Sequence, residues 1–199
     1  MVTGRGATEG VSEVVRELGE GRWGLVRARA AAREVEGAER SKGTKRSKGA
    51  VRALVGAMFG TEVEVRKRAA DVARRVTERS AEPMWEYADE LAGLLAEMPV
   101  EESRTRWHLG LVVARVAHTR EQRLRAARLM ELLAADESNV VRCSAVEGIA
   151  MLACDEASLR EVAETMVERA MREGTAAERC RAREGRRRLE RAGILRVEL

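Results

Sequence analysis

Five arginines recur along the chain at a nearly constant interval: Arg27, Arg66, Arg106, Arg142 and Arg179, with steps of 39, 40, 36 and 37 residues. A guanidinium is a permanently charged, planar fork of donors that fits carboxylates and phosphates. A row of them has two uses. It can join successive segments through charge-assisted hydrogen bonds, or it can present cations to a polyanion. The first use has acids at hand, because Glu20, Glu62, Glu102 and Glu137 each precede one of the first four arginines.

The position after the arginine is occupied by Trp107, Cys143 and Cys180, with His108 beside the tryptophan. These residue types raise a Cys/His metal site. Packed helices stand roughly 10 Å apart, too far for a disulfide between equivalent positions. A closed zinc site needs four converging ligands, and the sequence holds no Cys-x-x-Cys or His-x-x-x-His. No metal and no cofactor are expected. Acid–base catalysis would rest on carboxylates such as Asp71 or Glu147, since the only histidines are His108 and His118. No Ser/His/Asp arrangement is legible, and Gly43, Gly49 and Gly60 do not form a phosphate loop. The reading is of a protein that is not an enzyme.

The elements that carry these residues are helices. Apolar residues return at helical spacing through five successive stretches, with no long Val/Ile/Thr alternation. Expected pairs are a helix around Val11–Leu18 with one starting near Trp23, then 50–59 with 62–80, 83–98 with 101–119, 121–135 with 138–154, and 157–173 with 175–192. Val26, Ala30 and Ala31 are expected inward on the helix after Trp23, and Leu124, Ala127 and Leu132 on 121–135. Thr61 with Glu64 reads as a capping box, and Pro83 suits a first helical turn. The helix 175–192 is nearly all polar, as a terminal cap would be.

Composition agrees. Aromatics make up 3% of the 199 residues, charged residues 35%, and there are two prolines. Packing must therefore come from Ala and aliphatic side chains on good helix formers. The 37 basic residues comprise 33 Arg and four Lys, the lysines at 42, 45, 48 and 67. Three cysteines fit a reducing compartment. The first ten residues contain no apolar core of a signal peptide, and no apolar run approaches the roughly 20 residues of a membrane span. A cytoplasmic protein with no membrane partner is expected.

A period near 38 residues over the whole chain is the mark of a helical repeat array. Val-Arg-x-x-Ala opens a second helix at Val65 and again at Val141. On these features, over roughly residues 11–192, the chain resembles the HEAT and armadillo-like repeat family. The resemblance implies an all-α superhelix (solenoid) of about five helix pairs. Residues 1–10 would be a disordered N-terminus, 11–192 one repeat domain with a flexible basic loop at 37–49, and 193–199 a C-terminal tail.

In that family second helices line a concave face. Basic minus acidic residues over the five second helices total +7, and the stretch 37–49 adds +4, leaving −7 for the remainder. The expected function is a scaffold that binds a protein partner, an acidic or helical segment, along this face. Arg29, Arg66, Arg68, Arg106, Trp107, Arg142, Arg179 and Arg183 are the candidate binding residues. The alternative is nucleic-acid binding on the same face. It includes the DNA-alkylation-repair glycosylase type, which the resemblance would cast with Trp107 as the aromatic and Asp71 as the acid.

Overall fold

The structure is a computed structural model that describes residues 16, 18, 19, 21–40 and 45–194. All regular structure among them is helical. The helices are α1 (Leu25–Arg40), α2 (Lys45–Met58), α3 (Val63–Arg79), α4 (Ala88–Glu97), α5 (Ser103–Val116), α6 (Arg120–Leu133), α7 (Asn139–Asp155), α8 (Arg160–Glu173) and α9 (Ala176–Arg191). Short 3₁₀ turns at Glu82–Tyr87 and Ala157–Leu159 precede α4 and α8. None is long and apolar enough to cross a membrane. The chain forms two compact units, residues 1–87 and 88–199.

In the first unit α1, α2 and α3 pack on one another. Their core is Ala28, Val35, Leu54, Met58, Val72 and Val76, all essentially solvent-free. The stripe on α1 differs from expectation. Ala28, Ala31, Ala32 and Val35 are buried, whereas Val26 is 82% exposed and Ala30 also faces solvent. A shift of two residues turns a helix face by about 200°. In an Ala-rich segment only the neighbouring helices decide which alanines go inward. The stretch 37–49, expected as a loop, is helical at 37–40 and again at 45–49. Adding a residue to an existing helix is far easier than starting one, and Lys, Arg, Glu and Ala all propagate. The N-terminal expectations for residues 1–15 lie outside the described residues.

In the second unit α5 packs on α7 and α7 on α9, while α4, α6 and α8 fill in beside them. Helix α7 touches α5, α6, α8 and α9. Its sequence explains this: Val141, Ala145, Val146, Ile149, Ala150 and Leu152 are apolar and buried right around the helix. Small residues let the neighbours approach. A Cβ on Gly148 would lie 3.3 Å from Ala114 Cβ on α5, and one on Gly185 3.3 Å from Ala150 Cβ across α7 and α9. Leu132, expected inward, is 70% exposed.

The helix ends are specified locally. Thr119 and Gln122 form a capping box on α6, and Thr175 and Glu178 form one on α9. The box expected at Thr61 and Glu64 does not form, because Glu62 is the N-cap of α3 and makes no side-chain cap bond. This leaves Glu64 at the second helical position rather than the third. Helix α9 ends in a Schellman motif. Gly193 has φ of +68°, its N–H donates to Glu190 O at 3.0 Å, and Ile194 N–H donates to Leu189 O at 2.9 Å.

Candidate functional site

The repeated arginine stands near the start of each second helix, and four of the five lie over the turn that precedes it. Arg66 Nη1 donates to Gly60 O at 2.6 Å, and Arg179 Nη1 to Gly174 O at 2.6 Å. Arg142 Nη1 donates to both Asp136 O and Glu137 O at 2.8 Å. The Arg27 guanidinium lies against Gly21, within 2.7 Å of where a Cβ would stand. The last carbonyls of the first helix and the turn have no intrahelical donor. An arginine five or six residues downstream supplies one.

Two of these arginines also reach forward by one helix pair. Arg106 pairs with Asp136, and Arg142 pairs with Glu178 through Nε at 2.7 Å and Nη2 at 3.3 Å. Two rungs of the expected ladder are thus present in the second unit, with different acids from those expected. Glu62, Glu102 and Glu137 precede the arginines in sequence, but the carboxylates that Arg106 and Arg142 meet, Asp136 and Glu178, lie 30 and 36 residues ahead. Glu20 lies outside the described residues.

Glu178 is held by more than its arginine. It is buried at 7% exposure. It also accepts Thr175 N–H at 2.8 Å as the third-position residue of the capping box. The Arg142 hydrogen bond is the main reason its carboxyl is held down to about 2, from an ordinary 4.5. Glu178 in turn raises the Arg142 pKa. The neighbouring Cys143 thiol is pushed up by burial, which keeps it neutral and unreactive. Among the described residues no group of three His, Cys, Asp or Glu could hold a metal.

The first unit holds a second charged cluster. Asp71 is buried and pairs with Arg75 at 3.0 Å and Arg74 at 3.5 Å. Trp23 Nε1 donates to Asp71 at 3.4 Å, and the Arg68 guanidinium lies 5.6 Å from the Trp23 ring. Arg68 also donates to Leu18 O at 2.8 Å and Gly21 O at 3.2 Å. The aromatic beside Asp71 is thus Trp23. Trp107 belongs to the other unit, half-buried and stacked on His108 at 4.3 Å.

Of the eight candidate residues, Arg66, Arg68, Arg106, Arg142 and Arg179 make internal contacts. Arg29 on α1 and Arg183 on α9 are exposed and make no ion pair among the described residues. Arg29 lines a recess of 350 Å³ with Glu36, Arg75, Glu78 and Arg79. Sequence reasoning overlooked a larger recess of 620 Å³ in the second unit, between the turn before α5 and the turn before α7. Arg106 and Asp136 line it with Glu101 and Glu137, and Val100 and Leu132, 64% and 70% exposed, stand at its edge. Leucine in a helical apolar pattern reads as core, so the sequence carried no signal for it.

Comparison with protein-family models and with curated proteins finds no match for this chain.

Proposed function

We propose that the chain is a non-enzymatic interaction scaffold, a HEAT- or armadillo-like α-solenoid whose helix pairs stack in chain order and bind a protein partner. The stacking reading is supported within the second unit by α5 on α7 on α9 and by an arginine that bridges successive pairs. The single observation that carries the binding reading is the recess edged by Val100 and Leu132. Large apolar side chains left this exposed beside a concavity are what an interface core is built from.

Its chemistry favours one kind of partner segment. Asp136 is neutralised by Arg106, which leaves Glu101 and Glu137 as surplus negative charge. The fitting segment is one large apolar residue flanked by Lys or Arg. An acidic segment would instead use exposed cations of the second helices, Arg29 and Arg183 among them.

Peptides selected by display against the folded chain test this. Basic peptides with an apolar anchor should be enriched and should lose at least tenfold in affinity against Leu132→Lys. Enrichment of acidic peptides indifferent to Leu132→Lys but sensitive to Arg29→Glu would overturn the recess reading.

A further inference from the structure

We infer that the outer face of α9 is a binding surface for the phosphate backbone of duplex DNA, independent of base sequence. Arg179, Arg183, Arg187 and Arg191 recur every four residues and are all exposed. Each step rises about 6 Å and turns about 40°, so they form a row about 18 Å long that winds through about 120° of the helix surface. The opposite side of the helix, Glu178, Ala182, Gly185 and Leu189, is the buried one.

The acids of α9 do not neutralise this row. Glu178 is taken by Arg142, Glu184 by Arg181 at 2.6 Å, and Glu190 by Arg186 at 3.0 Å. Arg183 and Arg187, with Arg188 beside them, make no ion pair or hydrogen bond among the described residues. Arg179 and Arg191 donate only to backbone carbonyls, Gly174 O and Arg187 O. The adjacent α8 solves solubility differently, pairing Arg169 with Glu173 and Arg172 with Glu168 along its own surface. Like charges four residues apart weaken a helix where opposite charges strengthen it. A face built only to be wet would resemble α8. The row on α9 departs from it at a cost in stability, and its uncompensated charge is complementary to a polyanion.

Between polyanions, the face favours phosphates. Apart from charged residues it exposes only Ala176, Ala177 and Cys180. A protein interface is anchored by large apolar or aromatic groups, and this face has none. Phosphate contacts need only cations, and an arginine fork meets phosphate in bidentate fashion. One strand presents a phosphate every 3.4 Å along the duplex axis, so the row faces about five. No Asn, Gln or large apolar side chain stands beside the arginines, so the contact expected is with phosphates whatever the base sequence.

The test is fluorescence anisotropy of a labelled 20-base-pair duplex of arbitrary sequence against the full chain, from 25 to 200 mM NaCl. Expected are micromolar binding at low salt and a log–log salt slope near −3, for three to four phosphates neutralised. The R183E/R187E variant should bind at least tenfold more weakly, with the slope about 2 shallower. The milder R183Q/R187Q should move the same way, with thermal unfolding and helical content as in the parent. Reversal of exposed Arg128 on α6 should change neither quantity. No binding at 25 mM NaCl, or a slope that R183Q/R187Q leaves unchanged, overturns the inference. So does competition by polyglutamate at the same charge concentration as the duplex, which would make the ligand an acidic protein. The row shares no residue with the recess at Leu132, so Leu132→Lys should leave duplex binding intact, and either assignment can fail alone.

Discussion

Replacing Glu178 tests the reasoning about the arginine ladder most directly. In Glu178→Ala, Arg142 loses both carboxylate bonds, at 2.7 and 3.3 Å, and Thr175 N–H loses its acceptor at 2.8 Å. Breaking a buried ion pair by removing one partner costs about 3–5 kcal/mol when the survivor is sealed from water. Arg142 is not sealed. Its side chain is 24% exposed and keeps two turn carbonyls at 2.8 Å. Loss of the capping partner adds about 1 kcal/mol. The expected loss is about 2–3 kcal/mol for Ala. For Glu178→Gln, which can still cap α9, it is about 1–2 kcal/mol. Urea unfolding followed by circular dichroism should show a lower midpoint with an unchanged slope.

The same residue predicts a pH dependence. The Glu178 carboxyl is held at about 2 in the folded chain against an ordinary 4.5, so between these values the unfolded chain binds more protons. Its contribution is therefore fully present above about pH 4.5 and is lost as pH falls towards 2. The full shift corresponds to at most about 3 kcal/mol, and partial exposure of Arg142 reduces it to about 2. The stability gap between parent and Glu178→Gln should narrow as pH is lowered from 6 to 3. An equal midpoint for both at pH 6, or a gap that does not change with pH, would refute the stabilising pairing of Glu178 with Arg142.

Other outcomes follow from particular contacts. Gly174→Ala places a Cβ inside contact distance of the Ala170 carbonyl oxygen and 2.8 Å from Glu178 Cβ, so it should cost about 1–3 kcal/mol in urea unfolding. Arg68→Ala, which releases Leu18 O, Gly21 O and the Trp23 ring, should cost about 1–2 kcal/mol, whereas Arg33→Ala on the exposed face of α1 should stay within about 0.5 kcal/mol. Leu132→Lys should also change stability by no more than about 0.5 kcal/mol while weakening selected peptides, a separation read by running both assays on one preparation.

The helix pairs were legible because spacing, breakers and propensity agreed from 50 to 192, and the helices fall there within a few residues of expectation. The capping boxes at Thr119 and Thr175 are equally open to reading in the sequence, as Thr-x-x-Gln and Thr-x-x-Glu at helix starts. The candidate site was legible in part only. The arginines were found by their period, but a period says nothing about which way a side chain turns. Arg179 and Arg183 differ by one helical turn, yet one meets a carbonyl and the other meets no partner among the described residues.

By itself the sequence determined where the helices from 50 onward lie, to within a few residues, because helix formation depends on interactions within a few residues; it also carried the recurrence of one arginine per pair. Which acid each arginine meets, which alanines of α1 go inward and why Leu132 stays out depend on helices placed 30 or more residues away. A guanidinium at the start of a helix will take whatever carboxylate packing brings beside it. Only the tertiary structure could name Asp136 and Glu178.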